Sequence, residues 1–97
     1  MILLYFYSDW CPPCRFYDKT FITPIENSVG KEYVQRINAR KQPQLAEKYN
    51  VDKLPMIIFC DENKAEIMRK TGAIDINKVA NYIKNTGNAE QQGSDTL

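Results

Sequence analysis

The sequence predicts an α/β domain in which a mixed four-stranded sheet carries helices on both faces. Three observations lead there. Ile2-Leu3-Leu4-Tyr5-Phe6-Tyr7 and Met56-Ile57-Ile58-Phe59-Cys60 are short, continuously apolar or aromatic runs, the pattern of strands buried on both faces of a sheet. Helical stretches separate the first run from a second strand at 32–38, and a pair joined that way is parallel. The polar turn Asp61-Glu62-Asn63-Lys64 has hairpin length, so residues 65–70 are expected to pair antiparallel with the run before it. The expected order is β-α-β-α-β-β-α.

Each element follows from local chemistry. Ser8 and Asp9 close the first strand, and a helix is expected from about residue 11 to 20. Pro12 and Pro13 fall in its first turn, where a missing backbone N–H costs little. Pro24 is expected to kink or break this helix, because it removes a hydrogen bond and clashes with the preceding turn. A second helical piece, 24–29, stops at Gly30 as a C-terminal cap. Tyr33, Val34 and Ile37 mark the second strand, 42–49 a short helix, and 50–54 a connector into Pro55. Gly72 ends the fourth strand. Asp75 is placed to cap a last helix whose Val79, Tyr82 and Ile83 share a face. Residues 1–86 then form one domain, and 87–97, rich in Gly, Asn, Gln and Ser, are expected to be a disordered tail.

Size and composition narrow the function. A chain of 97 residues supports one core, since domains typically need about 100 to 150 residues. The apolar fraction of 43%, charged fraction of 26% and net charge of +1 are those of a soluble globular chain and point to neither nucleic acid nor an anionic membrane. No apolar run approaches the roughly 20 residues that span a bilayer. Three cysteines do not make a secreted disulfide scaffold. The first seven residues carry no basic leader and no small-residue cleavage site. The expectation is a monomer of the reducing cytoplasm.

Trp10-Cys11-Pro12-Pro13-Cys14 is the motif that carries chemistry. Two thiols at this spacing, between a strand end and a helix start, read as a redox pair. A free thiol, with a pKa of about 8.5, is mostly protonated at neutral pH. Cys11 lies at a helix N-terminus, where unpaired N–H groups and the helix dipole are expected to favour its thiolate. Cys14, one turn deeper, is within reach yet shielded. Cys11 is therefore the candidate nucleophile and Cys14 the resolving thiol of a cycle that passes through a mixed disulfide to an internal Cys11–Cys14 bond. The alternative is a metal knuckle, but it needs two more ligands in a chain without histidine, whose remaining thiol, Cys60, falls in a core strand. No metal and no bound cofactor are expected.

Over residues 2–85 the chain resembles the thioredoxin family. The matching features are Trp-Cys-x-x-Cys after the first strand, Leu54-Pro55 opening the third, and Gly72 after the fourth. The resemblance implies a thioredoxin fold, here lacking the usual N-terminal strand and helix, and protein disulfide reductase activity. The implied partners are disulfide-containing proteins, with a flavin-dependent thioredoxin reductase or a glutathione system as electron donor. It further implies that Pro55 is the family's cis-proline, against the ordinary alternative of a trans proline at a strand start. Trp10, Pro12, Pro13, Leu54, Pro55, Gly72 and Ala73 would form a low apolar docking surface around Cys11. A glutathione-dependent, glutaredoxin-like reductase is the rival inside the class, with Lys53 and Arg40 as the candidate carboxylate-binding cations. A non-catalytic thioredoxin-fold binding subunit is the rival outside it. The run from Arg15 to Pro24 is also similar to the thioredoxin-like domains of periplasmic thiol reductants.

Two positions depart from the family's pattern. Its buried aspartate behind the cysteines falls on Tyr5, and the accompanying lysine near Arg36. A phenol with a pKa of about 10 is a poor base at neutral pH, so water or a carboxylate such as Asp9 is the alternative proton acceptor for Cys14. Phe16, Tyr17 and Phe21 are expected to join the core, Cys60 to be a buried small residue, and Arg36, Arg40 and Lys41 to form a solvated basic edge.

Overall fold

A computed structural model describes residues 1–86 of the chain. Strands β1 (Ile2–Tyr7), β2 (Val34–Asn38), β3 (Met56–Cys60) and β4 (Glu66–Lys70) form one sheet in the order β2-β1-β3-β4. β1 and β2 run parallel, with Tyr5 opposite Arg36. β1 with β3, and β3 with β4, run antiparallel. Helices α1 (Pro12–Tyr17), α2 (Thr23–Val29), α3 (Pro43–Lys48) and α4 (Ile76–Thr86) cover it. The tail expected at 87–97 lies outside the described residues.

Alternation along β1 divides the interior in two. Leu3 and Tyr5 pack with Ile22, Ile25, Val79 and Ile83 from the helices on one face. Leu4 and Phe6 pack with Ile37, Ile58, Cys60 and Tyr49 on the other, where Leu45 and Ala46 of α3 close the layer. All five residues of β3 are buried. The central strands are thus apolar on both sides because both sides are covered.

Pro24 does not break the helical path. Asp18–Ile22 forms a π-helical turn, in which the Thr23 N–H reaches back five residues to the Asp18 carbonyl. Asp18, Ile22 and Thr23 all keep right-handed helical dihedrals. The slipped ladder places Pro24 in the first turn of α2, where its missing N–H removes no bond. The second strand also starts later than expected. Lys31–Tyr33 is a 3₁₀ turn after Gly30, whose φ of 110° needs a residue without a Cβ.

The expected helix cap is in place. Asp75 Oδ1 accepts the Lys78 N–H at 3.1 Å at the start of α4. In the β3–β4 hairpin, Asp61 Oδ1 accepts from the Asn63 and Ala65 N–H groups at 2.8 and 3.0 Å. The aromatic set divides: Tyr5, Phe6 and Tyr17 are buried, but Phe16 stands 65% exposed. Its position on the outer side of α1 turns it away from the sheet.

Candidate active site

The sheet delivers the two cysteines to the carboxyl end of β1. Ser8 and the exposed Asp9 and Trp10 carry the chain off the strand, and α1 opens immediately after Cys11. Cys11 and Cys14 are joined by a disulfide with Cα atoms 5.2 Å apart, within the usual span of such bonds. Cys11 is partly exposed, whereas Cys14 is 2% exposed. The asymmetry expected of a nucleophile and a resolving thiol is therefore present.

The helix start differs from the expectation. Pro12 and Pro13 fill the first two helical positions and offer no N–H, and the Cys14 N–H is committed to the Cys11 carbonyl at 2.9 Å. The Cys11 side chain receives no capping hydrogen bond. Unpaired N–H groups at the first three helical positions thus do not reach the sulfur, because proline removes two donors and the turn uses the third.

In front of Cys11 lies a groove of about 490 Å³ lined by Ser8, Trp10, Cys11, Pro12, Pro13, Ala39, Val51, Asp52, Lys53 and Leu54. It brings together four of the expected docking residues, Trp10, Pro12, Pro13 and Leu54, and Trp10 is 77% exposed. Lys53 reaches this groove; Arg40 is not among its lining residues. The Leu54–Pro55 peptide is cis. Thr71 Oγ1 donates to the Pro55 carbonyl at 2.8 Å, tying the end of β4 to this peptide. Gly72 and Ala73 follow as exposed residues, Gly72 with a φ of 83°. Ala73 lines a separate hollow with Lys70, Ile74 and Asp75.

Behind Cys14 lies a stack of tyrosine rings with a few polar ends. Tyr5, 1% exposed, donates its hydroxyl to the Cys14 carbonyl at 2.7 Å, and its ring stacks on those of Tyr7 and Tyr17. Burial, reinforced by the Asp18 charge, pushes its pKa far above the ordinary phenol value. Burial likewise raises Tyr17 to about 12. Both phenols stay neutral, and neither supplies a phenolate near neutral pH.

Arg36 is not the solvated cation expected of it. Its guanidinium bonds Asp18 through Nε at 2.9 Å and Nη2 at 3.0 Å, and Glu26 through Nη1 at 2.9 Å. Thr23 Oγ1 also donates to Asp18 at 2.8 Å. The hydrogen bonds from Arg36, partly opposed by desolvation, hold the Asp18 carboxyl below the usual range. Sequence spacing gave no sign of this network. Its only available signal is the parallel register that sets Arg36 beside Tyr5.

Cys60 is buried in β3 as a free thiol, and burial pushes its pKa up. Among the described residues no group of His, Cys, Asp or Glu side chains is arranged to hold a metal ion.

A sequence model of thioredoxin matches residues 1–85. The chain belongs to the thioredoxin family. It is 32% identical over 95 residues to thioredoxin Y2, chloroplastic, of Arabidopsis thaliana, a match covering 93% of this chain and 53% of that protein. It is also 32% identical to the thiol:disulfide interchange protein DsbD of Haemophilus influenzae, over 84% of this chain and 16% of that protein. The chain thus spans about half the length of the first and a small part of the second. Among solved structures, thioredoxin-2 of the malaria parasite superposes with a TM-score of 0.69 at 31% identity, covering 86% of this chain and 80% of that one. The Cys11–Cys14 pair fits the Cys-x-x-Cys motif of this family.

Proposed function

We propose that the chain reduces disulfides in protein substrates by dithiol–disulfide exchange at Cys11 and Cys14. The asymmetry of the pair carries the reading: Cys11 opens onto a groove and Cys14 is buried behind it. Cys11 thiolate attacks a substrate disulfide and expels one substrate thiolate. Cys14 then displaces the second, closing the internal disulfide. Trp10, Pro12, Pro13 and Leu54 serve the substrate chain as a low platform, next to cis-Pro55. The chain works without a resident cofactor or metal, as a monomer. A flavin-dependent thioredoxin reductase or a glutathione system returns it to the dithiol. The cytoplasm is its proposed compartment.

The test is insulin reduction with dithiothreitol as donor, followed by mass spectrometry of a Cys14→Ser variant. Catalysed reduction, with a mixed disulfide accumulating on Cys11 in the variant, supports the assignment. Absence of both overturns it and leaves a binding role.

A further inference from the structure

Closing the internal disulfide requires the buried Cys14 thiol to lose a proton, and the structure limits where that proton goes. Cys14, Tyr5, Asp9 and Asp18 line one cavity of about 390 Å³ beneath the end of β1. The hollow opens to solvent and has room for several waters between its polar ends. Tyr5 already spends its hydroxyl as a donor to the Cys14 carbonyl. Asp18 is occupied by two bonds from Arg36 and one from Thr23. Asp9 has one long bond, from Asn38 Nδ2 at 3.3 Å, and is exposed. It joins the cavity to bulk solvent with most of its lone pairs uncommitted.

We propose that Asp9 is the proton acceptor for Cys14 in the resolving step, acting through water in this cavity. The inference rests on the dithiol cycle above. Cys14 sulfur forms a bond to Cys11 sulfur, the bond between Cys11 and the substrate sulfur breaks, and the electron pair leaves on the substrate thiolate. The Cys14 proton passes to the Asp9 carboxylate, which then releases it to the departing thiolate or to solvent. The other charged or titratable groups on the cavity wall are Tyr7, Arg15 and Lys19, with Arg36 behind Asp18. Arg15 and Lys19 are cations with no acceptor to offer and do not compete for the proton.

Stopped-flow reaction of the reduced protein with dithiobis(nitrobenzoate) separates the two steps, because attack by Cys11 and displacement by Cys14 each release one coloured thiolate. Asp9→Asn is expected to leave the first release within about twofold and slow the second by about tenfold or more. Asp9→Glu is expected to restore it. While Cys14 is still protonated, the second release in the Asn variant should rise about tenfold per pH unit, because hydroxide is then the base. The unaltered protein should show a much shallower dependence. A second release unchanged in Asp9→Asn, or slowed by Asp18→Asn instead, overturns the proposal. Failure of the first release in every variant would strike the dithiol cycle itself.

Discussion

The two sides of one disulfide differ in exposure and in how their polar groups are held. The Cys11 side is open: an exposed indole, two prolines and Leu54 beside Asp52 and Lys53, with no hydrogen bond reaching the sulfur side chain from the helix start. On the other side Cys14 is buried, with a phenol clamped to its carbonyl and an arginine bridging two carboxylates behind it. Binding a varied set of unfolded or extended partners needs area without fixed polar demands. Controlling when a buried thiol ionises needs fixed polar groups in a low dielectric. The difference shows that specificity and proton control are separated by a single helical turn.

The strongest attack on this division is to exchange the cysteines' roles. Cys11→Ser should reduce insulin turnover to the uncatalysed background, whereas Cys14→Ser should still form the mixed disulfide. Equal loss of the attack step in both would erase the distinction between the sides.

Removing the cation behind Cys14 comes next. Arg36→Ala leaves Asp18 and Glu26 without their shared partner, and should cost about 2 kcal/mol in denaturant unfolding near neutral pH. The sign with pH follows from the direction of the Asp18 shift. Its folded-state pKa is depressed, so the stabilisation is full above the ordinary carboxylate value of about 4 and is lost as pH falls through the depressed one. The gap between parent and variant should therefore close in acid. A gap that stays constant there would assign the loss to packing of the arginine stem.

The front is probed by restoring a donor. Pro13→Ala returns an N–H to the second helical position, where it can cap the Cys11 thiolate. The thiolate, and with it the dithiol state, gains stability, so the redox potential should rise by about 30 mV against glutathione. An unchanged potential would mean that the prolines serve only shape. The smallest effect expected is for Tyr5→Phe, which keeps the stacked ring and removes one buried hydrogen bond. The loss should be about 1 kcal/mol, and no change in the pH dependence of Cys11 attack should accompany it.

Legibility in the sequence follows the range of the interaction. The apolar runs of β1 and β3 declared two covered faces, and the short polar turn declared the hairpin, since each depends on neighbours in sequence. The cysteine pair was legible for the same reason. Pro24 misled because the rule for proline in a helix assumes an unbroken i−4 ladder, and the π turn at Asp18–Ile22 shifts that ladder by one. Arg36 misled because its partners lie 18 and 10 residues away and meet it only after β1 and β2 pair. Phe16 shows the same limit in reverse: nothing in its identity marks the outward side of α1.

The central claim is that Cys11 and Cys14 form a reversible, reducing dithiol–disulfide couple. The most direct measurement equilibrates the protein against glutathione buffers and follows Trp10 fluorescence beside the pair. The account predicts one two-electron transition near the −270 mV typical of thioredoxin. A transition above about −200 mV would contradict the reductase direction, and no reversible transition would contradict the redox role altogether.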